Sequence, residues 1–409
     1  MKIRSITYFD DLKWPLDNQL VHTASEFMGL ARQSYEGGGF EIQTTRLATP
    51  PFPLIFHGDL HDETVSFAIE LEKRLLAGGF DYVSIGPALP EYPDSYSILP
   101  EILTNTQSTF IAGIISSFQG EIHPPAIKKC AEVIKRNAEI SEDGFDNLRF
   151  AALANVSPGA PFLPAAYHQH NGQPGFAIAT EAADLAVIAI SKAENLNSAR
   201  KELIQLVESQ AKEIAKIGQD LESRSGVKFS GVDFSLAPYP LSEQSIGTAI
   251  ERMGVPAVGF HGSLSAVAVL AEALERANYP RVGFSGVMLP LLEDTVLALR
   301  GFEGKLSVSD LLLYSAVCGT GLDTIPLPED VSAEQLYALL LDLAVLAQRL
   351  RKPLTARLMP IPGRKAGDQT EFDFEFFANS KVLELDAQPI TGLLAGDDPY
   401  ELKSRVNCD

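Results

Sequence analysis

The chain has 409 residues, 45% of them hydrophobic, and a formal charge of −20 with a pI near 4.8. That length can bury one large core or two ordinary ones. That acidity opposes phosphate backbones and anionic lipid surfaces, so nucleic acid and membranes are poor partners.

KIRSITYF (2–9) reads as a strand, and the polar stretch 16–34 reads as a helix that GGG at 37–39 ends. IQTTRLATP (42–50) is extended and stops at prolines, and TVSFAIELEKRLLAGG is an amphipathic helix closed by glycines. DYVSIGPA (81–88), TFIAGIIS (109–116) and LRFAALANV (148–156) follow as strands. The helix PPAIKKCAEVIKRNAEI separates the last two, and its leading prolines suit a first turn, where N–H groups lack partners. A long charged helix, about 195–225, then leads into the strand FSGVDFSLAP (229–238). SLSAVAVLAEALERANY is helical, RVGFSGVML (281–289) is a strand, and a helix over 306–317 gives way to the glycine-rich loop CGTGLDTIPLPED. SAEQLYALLLDLAVLAQRLRK is a helix opened by the capping pair Ser332 and Gln335, and TARLMPIPG (355–363) is the last clear strand. Residues 365–395 alternate like antiparallel strands and suit a hairpin appended to a single domain spanning 1–409.

Strands that read as continuous apolar runs are buried on both faces. Nine or ten of them alternating with helices imply a parallel α/β sheet or barrel, because parallel neighbours need crossover helices. Two unit types recur. TTRLATP is similar to TARLMPIP, and EKRLLAGGFDYVSIGPALP to EALERANYPRVGFSGVMLP, a soft sign of two related halves.

Cys130, Cys318 and Cys408 are too few and too scattered for a disulfide framework or a structural zinc site. With no apolar signal core in MKIRSITYFDDLKW, they point to a reducing, cytoplasmic setting. Cys130 shares a helix face with Ile127, Val133 and Ile134 and reads as core; Cys408 lies at the frayed end. Cys318 stands before Gly319-Thr320-Gly321, where a backbone can turn tightly and a ligand can approach. The competing reading is a small buried residue at a helix C-terminus, an end that raises a thiol pKa. GRKAGD (363–368) brings Arg364 and Lys365 to a strand end as an anion cradle, against the plainer reading of a solvated turn. Asp233 interrupts a buried strand with Ser235 two residues on, so it is either paired or at work. HGDLHD (57–62) reads as a polar loop with Asp62 capping a helix. His168 and His170 share a face, but no third ligand is near them, so no metal is assigned. Phosphate-loop, dinucleotide and nucleophile-elbow motifs are absent, and the cofactor stays unknown.

In order along the chain, VDFSLAP, FSGVMLPLLEDT, AVCGTGLDTIPLPED and ARLMPIPGRKAGD resemble the blocks of the bacterial and archaeal family called domain of unknown function 711. LRFAALANVSPGAPFLPAAYH resembles its middle block, with His168 at the matching point. The resemblance implies a fold similar to pyruvate formate-lyase and the large subunit of ribonucleotide reductase. That fold is a ten-stranded α/β barrel of two parallel five-stranded halves set antiparallel to each other. It also suggests AVCGTGLD as the loop that threads the barrel, with Cys318 at its tip. The R-V-x-G-[FWY]-like element of glycyl-radical enzymes is missing, so radical catalysis is not carried over.

Two functions stand side by side. One is an enzyme on a small anionic metabolite, with Cys318 as thiol, Asp323 or Asp294 managing protons, and Arg357, Arg364 and Lys365 holding the anion, near Asp233 and His168. The other is a non-catalytic binding or regulatory protein lined by the same cations. The long charged helix suits a surface or a seam between copies, so homo-oligomerisation stays open.

Overall fold

The computed structural model of the chain describes residues 1–56 and 60–405. Its first part runs β1 (Lys2–Phe9), α1 (Asn18–Gly37), β2 (Ile42–Ala48), α2 (Leu60–Ala77), β3 (Tyr82–Ala88), α3 (Ser95–Asn105), β4 (Thr109–Ser116), β5 (Glu121–Ile122), α4 (Pro124–Ala138) and β6 (Phe150–Ala154). Then come β7 (Gly175–Glu181), α5 (Ala183–Ser191), α6 (Leu196–Ser225), β8 (Lys228–Asp233), α7 (Ile246–Arg252), α8 (Ser263–Arg276), α9 (Thr295–Phe302) and α10 (Val308–Tyr314). β9 (Gly321–Pro328), α11 (Ala333–Leu350), β10 (Leu354–Ile361) and β11 (Tyr400–Glu401) close the series.

The fold is mixed α/β around one large sheet in the order β8-β7-β1-β2-β3-β4-β6-β10-β9, with β5 and β11 paired beside β4. β1, β2, β3, β4 and β6 are parallel neighbours, each reached through a helix or helix-bearing crossover. β7–β8 and β9–β10 are parallel pairs, and both meet the central set antiparallel, at β1/β7 and β6/β10. Capping fixes several helix starts. Asp17 accepts from Gln19 N at 2.7 Å at α1, and Ser332 with Gln335 forms the expected capping box at α11. Among the described residues, no helix is long and apolar enough to cross a membrane.

Side chains alternate along the strands and sort the sheet into two faces. Ile3, Ile6, Tyr8, Leu47, Val83, Ile85, Ile111, Ile115, Ile178, Leu354 and Leu358 join the helices in one extended apolar cluster. Burying each such Ile or Leu contributes about 1.5–3 kcal/mol, so this layer carries most of the stability. The opposite face is smaller and more polar: Ser5, Thr7, Ala48, Ser84, Ala112, Ala151, Ala177 and Ala179 are all buried. They meet no helix. They leave room for residues 156–168, between β6 and β7, whose Ala160, Phe162, Leu163, Ala165 and Ala166 form small clusters with them. That segment is rich in proline because a backbone in a dry interior is cheaper with fewer N–H groups. Its carbonyls are met by the strands: Thr7 Oγ1 donates to Pro161 O at 2.8 Å, and Ser84 Oγ to Ala166 O at 2.7 Å.

Two segments differ from the sequence expectation. RVGFSGVML does not form a regular strand. Gly283 and Ser285 have φ of 62° and 44°, and Asp233 takes the N–H groups of Phe284 and Ser285, both at 2.7 Å, that a ladder would use. Only single parallel bridges remain, Val232 with Arg281 and Leu236 with Val287, while Pro290 bridges Asp323 of β9. Conversely, most of the expected loop TGLDTIPLPED is β9. Its two prolines are tolerated because β9 pairs regularly on one side only, with β10. Asp62 lies in the first turn of α2 rather than at its cap, and His57–Asp59 and Cys408 lie outside the described residues.

Candidate functional site

The polar face of the sheet opens into a cavity of about 110 Å³. Its floor is charged. β1 supplies Arg4, β2 supplies Gln43, Thr44 and Arg46, β9 supplies Asp323, β10 supplies Thr355 and Arg357, and the turn before α9 supplies Glu293. Arg4 reaches this face because the β1–β7 register slips between Ile3 and Ser5, and such a bulge re-aims one side chain. The walls are apolar: Tyr82, Phe110, Phe162, Phe284 and Met288, with Phe374 and Phe376 from the segment after β10. That segment folds back on itself through Gly367 N to Val382 O and Thr370 N to Ser380 O, both 2.9 Å.

Four of these charged groups form one chain of ion pairs with Glu181. Glu181, at the end of β7, accepts from Arg4 Nη1 at 2.8 Å and from Gln43 Nε2 at 2.7 Å. Glu293 accepts from Arg4 Nη2 at 2.6 Å and from Arg357 Nη2 at 2.7 Å. Arg357 Nε donates to Asp323 Oδ1 at 2.6 Å. Burial opposes the charges of Arg4, Arg357, Glu293 and Asp323, and the outcome depends on the partners. Arg357 and Arg4 outweigh burial at Glu293 and hold its carboxyl below the usual range. Burial wins at Asp323, whose carboxyl is raised despite Arg357, with Glu293 adding to the rise.

Arg46 stands outside this chain. It is only 6% exposed, yet it has no carboxylate partner among the described residues. Nε donates to the Oγ1 of Thr44 at 2.9 Å, and the guanidinium lies 6.0 Å from the centre of the Tyr82 ring. Its two terminal nitrogens make no hydrogen bond among the described residues. Burial, then the like charge of Arg4, pushes it down to about 9, so it is charged at neutral pH. Asp323 has a complementary feature: Oδ1 is used by Arg357, and Oδ2 has no hydrogen-bond partner among the described residues.

Of the residues singled out from sequence, Arg357 and Asp323 come together here. The others do not line this cavity. Cys318 is 3% exposed and packs in the apolar cluster shared with the helices, where its sulfur accepts from Gly321 N at 3.5 Å and Lys352 donates to its carbonyl. Its neighbouring glycine serves close packing: a Cβ on Gly319 would stand 2.8 Å from Gly286 Cα. Segment 156–168 lies against the polar face, whereas of AVCGTGLD only Thr320 and Asp323 line the cavity. Asp294 is fully buried as the cap of α9, accepting from Val296 N, Leu297 N, Ile246 N and the Ser245 hydroxyl. Arg364 pairs with Glu371 at 2.5 Å on a surface turn, where Lys365 is exposed. Asp233 is buried, raised to about 6 by burial, and binds the Ser235 hydroxyl at 2.6 Å besides the two backbone N–H groups, so it is paired rather than free. His168 sits at the far end of β1, its backbone N–H bound to Thr49 O at 2.9 Å and its ring against Phe9. No group of three or more metal-ligating side chains occurs among the described residues.

Arg46, Arg4, Glu181 and Glu293 were not singled out from sequence. The signal for Arg46 was present: TTRLA and TARLM carry Thr-x-Arg at the same place, Thr44/Arg46 and Thr355/Arg357, and all four side chains line the cavity.

The family described as "Uncharacterised ACR (DUF711)" matches residues 1–379. A UPF0210 protein of Acetivibrio thermocellus is 29% identical over 374 residues, covering 87% of this chain and 82% of that protein. UPF0210 proteins of Pyrobaculum arsenaticum and Pyrobaculum aerophilum are 30% and 32% identical over 347 and 353 residues, each covering 81% of this chain and 76% of the relative. The relatives thus include bacteria and archaea.

Proposed function

The chain belongs to this uncharacterised DUF711 family, and we propose that it binds a small molecule through an anionic group held by Arg46, inside a ring of strands. Segment 281–290 supports the ring: its single parallel bridges to Val232, Leu236 and Asp323 suit a tenth member between β8 and β9. Two parallel sets of five then face each other antiparallel, as the resemblance to pyruvate formate-lyase implies. Segment 156–168 takes the threading position in that ring, and it carries no cysteine.

The observation that carries the binding reading is the unpaired Arg46. A buried cation is costly unless it is matched, and a ligand carboxylate or phosphate matches a guanidinium with two parallel hydrogen bonds. Tyr82, Phe110 and Phe162 would enclose the rest of such a molecule. A catalytic reading is favoured by one further observation. Arg357 joins two carboxylates pushed in opposite directions, Asp323 up and Glu293 down, which suits a carboxylate that exchanges a proton beside a fixed anion.

Calorimetric titration with a panel of small carboxylates and phosphates tests the binding reading. At least one class should bind, Arg46→Met should weaken it roughly tenfold or more, and Arg364→Met should leave it unchanged. Absence of binding by every anion, or wild-type affinity in Arg46→Met, refutes the proposal.

A further inference from the structure

The charges around the cavity are divided unevenly. The ion-pair chain holds two cations, Arg4 and Arg357, against three carboxylates, Glu181, Glu293 and Asp323, and so carries one excess negative charge. Arg46 carries the balancing positive charge separately. Each side keeps unused hydrogen-bonding capacity: the terminal nitrogens of Arg46 on one, and Asp323 Oδ2 on the other. The acidic side also includes the buried Glu181 Oε1 and Gln43 Oε1, neither of which has a donor among the described residues. A ligand that is only an anion satisfies Arg46 and leaves the acidic side unmatched. A ligand that is only an amine does the reverse.

We infer that the ligand is dipolar, with a carboxylate on Arg46, an ammonium group on Asp323 and an apolar body against the aromatic wall. An α-amino acid with an apolar or aromatic side chain is the simplest molecule of this chemistry. The body would meet Tyr82, Phe110, Phe162 and Phe284, four rings that line one small cavity. This inference rests on Arg46 being the anion subsite, and it adds the second pole and the side-chain class.

The test uses matched probes on the full chain. L-phenylalanine, 3-phenylpropanoate and 2-phenylethylamine share one body and differ only in charge, and L-leucine, 4-methylpentanoate and isopentylamine form a second set. In calorimetric titration, the amino acid of at least one set should bind roughly tenfold or more tightly than either single-charge analogue. Asp323→Asn should remove most of that advantage while leaving the carboxylic acid's affinity in place, and Arg46→Met should weaken the amino acid and the acid together. The comparison of probes on the unaltered protein stands even if a variant misfolds. Equal affinity of the acid and the amino acid overturns the second pole but leaves the Arg46 subsite standing. Binding of phosphate in place of both overturns the dipolar ligand alone. If no carboxylate, amino acid or phosphate binds, both readings fall together.

Discussion

Replacing Arg46 with methionine should make the unliganded protein more stable and the liganded protein weaker. Methionine keeps the stem's volume and flexibility and removes only the charge. The fall of the guanidinium from its ordinary value to about 9 corresponds to about 5 kcal/mol of disfavoured charge, at about 1.4 kcal/mol per tenfold change. That figure is an upper bound, because the free end faces a polar cavity. The substitution also forfeits the bond to Thr44, about 1 kcal/mol, and the contact with the Tyr82 ring, about 0.5–1 kcal/mol. With the first figure discounted for that polar cavity, a net gain of about 2–3 kcal/mol remains. For 409 residues, at about 2.1 cal/mol/K per residue, it raises Tm by about 2–4 °C. The sign follows from the direction of the shift. A base held below its ordinary value destabilises the fold fully at pH below about 9, and the penalty fades as pH rises through 9 toward the ordinary arginine value. Neutral pH therefore shows the whole effect. Scanning calorimetry without ligand, followed by titration with the best-binding anion, reads both halves. A Tm lowered by more than about 2 °C would show that the Arg46 charge is satisfied in the native state, and would remove the basis for the subsite.

Asp294→Ala strips the shared acceptor from the Ser245 hydroxyl and from the N–H groups of Ile246, Gly247, Val296 and Leu297. Chemical denaturation should show a loss of about 3–5 kcal/mol, with ligand affinity unchanged in whatever fraction stays folded; a selective loss of affinity at full stability would instead give Asp294 a place in the chemistry. Cys318 and Cys130, both buried, should resist iodoacetamide in the native state and react once denaturant is added. With Cys408 replaced by serine, fast native labelling of Cys318 would contradict its place in the apolar cluster.

The strands of the first parallel set were legible as short runs rich in apolar and β-branched residues, several of them bounded by glycine or proline. Their alternation was harder to see. Small residues such as Ala112, Ala151 and Ala177 count as apolar, yet here they mark the face that receives segment 156–168. The segment 281–289 misled because its β-rich composition says nothing about Asp233, fifty residues earlier, which takes two of its N–H groups. The region 321–328 misled in the opposite way, since prolines that would break a central strand are harmless on β9. At the site, Arg357 and Asp323 were readable as charges in buried strands. Cys318 drew attention through glycines whose purpose is the contact of Gly319 with Gly286. Arg364 and Lys365 looked cradle-like, but their turn points to the surface.

The repeated Thr-x-Arg shows how one local pattern yields two different electrostatic results. Both arginines sit two residues after a threonine on an interior strand, so both point to the same cavity. What differs is the facing strand. Arg46 stands opposite Tyr82 in the β2–β3 register. Arg357 lies where the β10–β9 register slips, between the Ala356–Leu322 and Leu358–Ile325 pairs, and there it meets Asp323. Cross-strand neighbours decide whether a buried charge is matched. An acid opposite one arginine closes it into a structural ion pair, and a phenol opposite the other leaves its fork free. The slip at β9 and the bulge that aims Arg4 serve the same division, for they bring the carboxylates and the second cation together on one side. An arrangement that only had to stabilise the fold would have paired Arg46 as well.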